Sequence, residues 1–118
     1  MNPVQKLQLA HSSVRRYEDR PIGDAMLKRL IACGQSASSS SFVQAYSLVR
    51  VTDPGQRRTI AEAAGGQRWV EQAAEFLVVC ADLKRLEHAC EISGAGPLEG
   101  WTEHFMVATV DAALMAQN

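Results

Sequence analysis

The sequence predicts a chain of mixed α and β structure. Three observations carry this. Asn-Pro and Asp-Pro pairs stand where helices open. Two short runs rich in branched residues read as strands. The final segment, "WTEHFMVATVDAALMAQN", is helical and apolar on nearly all sides.

Taken in order, Asn2 suits an N-cap and Pro3 the first helical position, so "NPVQKLQLAH" predicts a short helix. "SVRRYEDRPI" predicts extended chain, because Pro21 biases Arg20 away from helix. Gly23 or Asp24 opens the next helix. Met26, Leu27, Leu30 and Ile31 give it an apolar stripe, and Gly34 is its expected stop. "SASSSSF" has no period. "YSLVRVTD" alternates and predicts a strand. Asp53-Pro54 caps a helix through "GQRRTIAEAA", which ends at Gly65-Gly66. "QRWVEQAAE" predicts helix, and the continuous apolar run "FLVVCAD" a buried strand. "LKRLEHACE" is weakly helical, and "ISGAGPLEG" is a loop.

In the last helix Trp101, Phe105, Ala108, Ala112 and Met115 share one face. Met106, Val110, Ala113 and Gln117 share another, with Val107 and Leu114 between them. A helix apolar all round belongs in a core or an interface. The chain reaches Asn118 with no further element to cover it, so the expectation is a longer protein or a partner over this helix.

At 118 residues the chain has the size of one domain, and 47% hydrophobic residues suffice for a core. A net charge of -1 excludes bulk electrostatic attraction to nucleic acid or to a membrane surface, so any anion site must be local. Cys33, Cys80 and Cys90 are an odd number without regular spacing, which argues against a disulfide framework and fits a reducing cytoplasm. Cys33 and Cys80 sit in apolar runs and read as small core residues. No signal peptide and no membrane-spanning stretch is visible. His11, His88 and His104 are scattered, and no metal-ligand spacing, P-loop, GxGxxG turn or nucleophile elbow occurs. The expected sets of metal ligands and of side-chain acids, bases or nucleophiles in catalysis are therefore empty.

Three stretches can carry chemistry. "HSSVRRYEDRPI" concentrates a histidine, two serines and two arginines. If extended, it puts Ser13 and Arg15 on one face, a pairing suited to a phosphate or a planar anion. The same residues also suit a solvated turn in which Arg15 and Arg16 pair with Glu18 and Asp19. "SASSSSFVQ" is a polar loop between packed elements, or a linker. "GGQRWVEQAAEF" offers two glycines for an unusual backbone and Gln67, whose amide both donates and accepts. It is equally a helix stop followed by a helix start.

In this order the three stretches, with "SLVRVTD", "FLVVCAD" and "VATVDAALMAQN", resemble the oxygen-insensitive NADPH nitroreductases and NADPH–flavin oxidoreductases of the FMN-dependent nitroreductase superfamily. The resemblance runs from near the first residue to the last. It implies an α+β, nitroreductase-like fold, a mostly antiparallel sheet wrapped by helices in an intertwined homodimer. Residues 1–118 would then be the N-terminal portion of a single FMN-binding domain. It implies FMN as cofactor, NAD(P)H and a small aromatic oxidant as partners, and two-electron transfer to nitroaromatics, quinones or free flavin. His11, Ser12, Ser13 and Arg15 would form the first FMN-binding segment, although the family usually carries an arginine where Ser12 stands. Arg16 is the candidate replacement. Ser39 would touch the flavin from the partner subunit, Gln67 would hydrogen-bond it, and Ser40, Ser41 and Phe42 would flank the substrate. The last helix would begin the dimer interface. The family's second half, with a Gly-rich flavin segment and a basic pair, lies outside these residues. A rival reading is therefore an inactive remnant that only dimerises. A third is a small phosphate-binding module built on Arg15 and Arg16.

Overall fold

In a computed structural model describing residues 1–118, the last helix has only a narrow buried stripe, and its small residues decide how closely its neighbours pack. Element order is α1 (Pro3–Leu9), α2 (Asp24–Gln35), a 3₁₀ turn (Ser40–Phe42), β1 (Tyr46–Arg50), α3 (Pro54–Ala63), α4 (Trp69–Gln72), β2 (Leu77–Ala81), α5 (Lys84–Ser93) and α6 (Thr102–Gln117). The chain packs as two compact units: Met1–Arg20 with Asp53–Ala74, and Pro21–Thr52 with Glu75–Asn118.

The first unit is held locally. Asn2 accepts from the Gln5 amide at 2.9 Å and Gln5 returns the bond to the Asn2 amide, a capping box with Pro3 behind it. Asp53 caps α3 by accepting from the Gln56 amide at 2.7 Å. Gly65 and Gly66, at φ 81° and 78°, end that helix in the left-handed region, where a side chain would be strained. Helices α3 and α4 then meet through buried Ala61 and Val70. Arg57 donates to the Ala73 carbonyl at 2.5 Å, and Arg58 pairs with Glu71 at 3.5 Å. The segment expected to be helical through Glu75 holds only one turn.

The second unit is built on an antiparallel pair. β1 and β2 run in register from Tyr46 opposite Ala81 to Arg50 opposite Leu77. Backbone bonds from Asp82 to Ala45 and from Val51 to Phe76, at 2.9 and 3.0 Å, extend the ladder at both ends. Arg50 forms a two-pronged pair with Glu75 at 2.8 and 2.5 Å, and that hydrogen bonding holds the guanidinium pKa above its ordinary value. At the other end the Ser47 hydroxyl and then the Lys84 amide bond the Asp82 carboxylate, which keeps its pKa below the usual aspartate value. The antiparallel α+β expectation holds, although β2 is half-buried here rather than fully covered.

Helix α6 lies on this pair. Tyr46, Ala112 and Met115 form the core, with Leu48 and Val79 packed against it. Buried Ala108 and Ala112 let the helix approach the sheet closely. The expected face is corrected at its N-terminal end: Trp101 and Phe105 are both exposed, and the buried stripe runs through Asp111 instead. Gly34 is not a helix stop. It lies inside α2, which ends at Ser36, and a Cβ there would come within 2.7 Å of the Met115 Cε and 3.0 Å of its carbonyl oxygen. The glycine is needed because α6 passes too near for a side chain. Beside it, Asn118 donates to the Cys33 carbonyl at 2.6 Å and to the Ser36 hydroxyl at 3.2 Å, satisfying the end of α2. Cys33 is therefore not a core residue. It is exposed because the next residue, Gly34, is the one that takes the α6 contact.

Two outcomes test this packing. Gly34→Val overfills the α2–α6 contact, and the expected loss is about 1–3 kcal/mol, or a fall of roughly 4 °C or more in Tm. Thermal unfolding followed by circular dichroism checks it, and an unchanged Tm contradicts the close approach. Because Asp82 titrates lower in the folded chain, its bonds stabilise at neutral pH and that stabilisation is lost as pH falls through the carboxylate range. Ser47→Ala should therefore unfold more easily than the parent near neutrality, with the difference closing in acid. Urea midpoints measured at several pH values decide this.

Candidate functional site

The first unit carries the N-terminal candidates. After α1, the His11 amide bonds back to the Gln8 carbonyl at 3.3 Å, and residues 11–18 then run without regular structure and are exposed. No strand lies alongside these residues to form a ladder, and the chain here is neither helix nor sheet. Nor do Arg15 and Arg16 pair with Glu18 and Asp19. Glu18 is taken by Arg20 at 3.1 Å, so both earlier guanidinium groups keep their donors for another partner. A groove of about 890 Å³ follows this segment, lined by the cations Arg15, Arg16 and Arg68, the acids Glu18 and Asp19, and the Trp69 ring. Arg68 stacks on Trp69, 4.7 Å from the ring centroid. Gln67 immediately precedes Arg68. Its amide N–H donates to the Ala61 carbonyl at 3.0 Å, and its side chain is exposed. His11, Ser12, Ser13, Arg15 and Gln67 thus belong to one unit, whose groove carries three cations against two acids.

The second unit carries the serine loop. Ser39 is extended, with φ -137° and ψ 155°. Its hydroxyl is buried with no hydrogen-bond partner. Ser40, Ser41 and Phe42 then make one 3₁₀ turn, in which Ser41 and Phe42 have φ 48° and 56°. Gln44 follows at 52°. Three non-glycine residues in the left-handed region cost about 1–3 kcal/mol each, so the surroundings must impose this shape. The Phe42 ring is pushed outward, 76% exposed.

What imposes it was missed in the sequence reading. Asp111, 2% exposed, accepts the Ser40 amide on Oδ1 at 3.1 Å and the Ala45 amide on Oδ2 at 3.2 Å. Arg85 donates to the Gln44 carbonyl at 2.7 Å and the Val43 carbonyl at 3.3 Å. The available signal was a single acid inside the apolar run "VATVDAALMA". Beside this loop an apolar groove of about 610 Å³ runs along α6, lined by Ser38, Ser39, Met106, Val110 and Leu114.

An FMN-sized group needs a cation for its phosphate, hydrogen-bonding partners for its ring edge, and a shaped backbone. In the first unit Arg15 and Arg16 without ion-pair partners and the exposed Gln67 side chain are groups of that kind, and in the second the orphaned Ser39 hydroxyl is another, so each unit by itself holds residues that fit part of the group. No group of three or more His, Cys, Asp or Glu residues is assembled for a metal. No helix is long and apolar enough to cross a membrane.

Residues 9–118 match the model of the Nitroreductase family. The chain is 40% identical over its whole length to the oxygen-insensitive NADPH nitroreductase of Salmonella typhimurium, and 41% identical to the FMN reductase (NADPH) of Bacillus subtilis. It covers 48% of each. The solved structure of NfrA2 from B. megaterium superposes on 99% of the chain with a TM-score of 0.91 at 33% identity, again over 48% of that protein. The chain spans about half the length of the curated relatives it matches. With the family model covering nearly every residue from the end of α1 to Asn118, this chain belongs to the Nitroreductase family.

Proposed function

We propose that residues 1–118 form the N-terminal portion of an FMN-binding domain, in an oxidoreductase that moves two electrons from NAD(P)H to a nitroaromatic, a quinone or free flavin. The observation that carries the reading is the serine loop. It holds a buried hydroxyl without a partner and three residues in a costly backbone region, which is the signature of a site preorganised for a ligand. Support also comes from the family and from relatives named for FMN or NADPH-dependent nitro-group reduction.

FMN, when bound, supplies the hydride-accepting and electron-donating chemistry. The residues of the chain bind and orient. His11, Ser12 and Ser13 offer short polar groups to the cofactor. Arg15 supplies a fixed positive charge for its anionic parts, and Arg16 stands in for the arginine that Ser12 replaces. Gln67 can both donate to and accept from a pyrimidine edge. Ser39 offers its hydroxyl to the cofactor held by a partner subunit. Ser40, Ser41 and the outward Phe42 ring flank an aromatic oxidant. No side chain needs to act as acid, base or nucleophile.

A second copy of the chain fits the α6 surface. Phe105, Met106, Val110 and Leu114 form an exposed apolar face of the size that drives association. Free thiols at Cys33, Cys80 and Cys90 suit a reducing cytoplasm. The half-length match favours one further reading, in which this chain dimerises and binds flavin weakly without turnover. NADPH consumption with a nitroaromatic added separates the two.

Arg15→Ala should raise the Kd for FMN at least tenfold, as loss of a charge-assisted bond worth about 1.5–3 kcal/mol implies. Quenching of FMN fluorescence measures it, and an unaltered titration removes Arg15 from the site. Val110→Glu places a charge in the α6 face and should convert a dimer to a monomer by sedimentation. A monomeric parent protein sinks the dimer proposal.

A further inference from the structure

We infer that Asp111 and Arg85 are positioning residues, which together hold Ser39–Ala45 in the shape that buries the Ser39 hydroxyl and exposes the Phe42 ring. The inference rests on the flavin reading above for its consequence, but its geometry stands alone.

Asp111 is the buried acid of α6, and its two oxygens are divided between two backbone amides, Ser40 at 3.1 Å and Ala45 at 3.2 Å. Those amides bracket the left-handed residues Ser41, Phe42 and Gln44. From α5, Arg85 takes the carbonyls of Gln44 at 2.7 Å and Val43 at 3.3 Å. The peptide groups of the segment are thus sorted by charge. The anion takes two N–H groups, and the cation takes two C=O groups. Charge-assisted bonds are the stronger class, and four of them fall within six residues. Gln44 adds a weaker tie, donating to the Gln35 carbonyl at 3.4 Å.

The pairing is needed because the backbone does not hold this shape unaided. Left-handed serine, phenylalanine and glutamine relax toward ordinary extended or right-handed conformations once released. Relaxation would carry Ser39, Ser40, Ser41 and Phe42 away from their positions together. Neither Asp111 nor Arg85 has to touch cofactor or oxidant for this. A carboxylate is required at 111 because both of its oxygens accept. An asparagine of the same shape has one acceptor and would turn its NH₂ donors toward the second amide.

The test compares the parent protein with Asp111→Asn and Arg85→Gln, by amide hydrogen exchange followed by NMR and by FMN titration. In Asp111→Asn, exchange at Ser40 and Ala45 should rise at least tenfold while the ladder amides of Leu48 and Val79 stay as in the parent. The Kd for FMN should rise about tenfold, and the visible spectrum of FMN at saturation should move toward that of the free cofactor. Arg85 is exposed, so Arg85→Gln leaves the core intact and should show the same three changes to a smaller extent. If Asp111→Asn does not fold, Arg85→Gln decides alone. Unchanged exchange at Ser40 and Ala45 overturns the inference. So does faster exchange with the parent's FMN affinity and spectrum, since the residues would then be structural only. If the parent protein takes up no FMN, the flavin reading falls, and exchange alone decides whether the two residues hold the loop.

Discussion

Helix α6 lies so near α2 that a single carbon added at Gly34 would stand 2.7 Å from the Met115 side chain. Most of the second unit depends on that approach. It requires Ala108 and Ala112 under the helix and a glycine beside it, and it leaves Met115 as the one large apolar side chain that α6 itself buries. It also decides what else the helix can do. Because the seat is shallow and built from small residues, a carboxylate one position from Ala112 reaches the backbone between α2 and β1. A bulkier seat would have lifted Asp111 away from the Ser40 and Ala45 amides. Burial of this charge is tolerable because two amides share it, and removing its oxygens would leave both donors unsatisfied at about 1–3 kcal/mol each.

The two units prepare for ligands in different ways. The first relies on cations whose partners have been withheld. Arg20 occupies Glu18, which leaves Arg15 and Arg16 without an ion-pair partner, while Arg68 stands over the Trp69 ring. The second relies on shape, with a costly backbone maintained by opposite charges on either side. One is an electrostatic device, sensitive to salt, and the other is a conformational one, sensitive to packing.

Local signals were the ones legible in the sequence. The Asn2–Gln5 capping box, the Asp53 cap, the Gly65-Gly66 stop and the left-handed Gly94 after α5 each involve residues within one helical turn, and each was readable or nearly so from spacing alone. What failed depended on partners distant in sequence. Gly34 read as a stop because a glycine in a helix usually is one, and its reason lies in Met115. Phe105 read as buried because it is apolar, but the buried stripe of α6 starts only at Ala108. Of the site, the anion-binding stretch and the serine loop could be found from residue types, helped by family resemblance. The acid and base that shape the loop could not, since Asp111 and Arg85 act across long separations in the chain.

The tight seat at Met115 has a chemical consequence. Of the four methionines, Met1, Met26 and Met106 lie at 76%, 50% and 60% exposure, while Met115 is 5% exposed. Its side chain lies against Gly34 in the α2–α6 contact, where solvent hardly reaches it. Sulfoxide formation converts methionine into a polar, bulkier group and is governed by access. Peroxide generated nearby would therefore spend itself on the three outer thioethers. The sulfur whose loss would loosen α6 is the one that ages last.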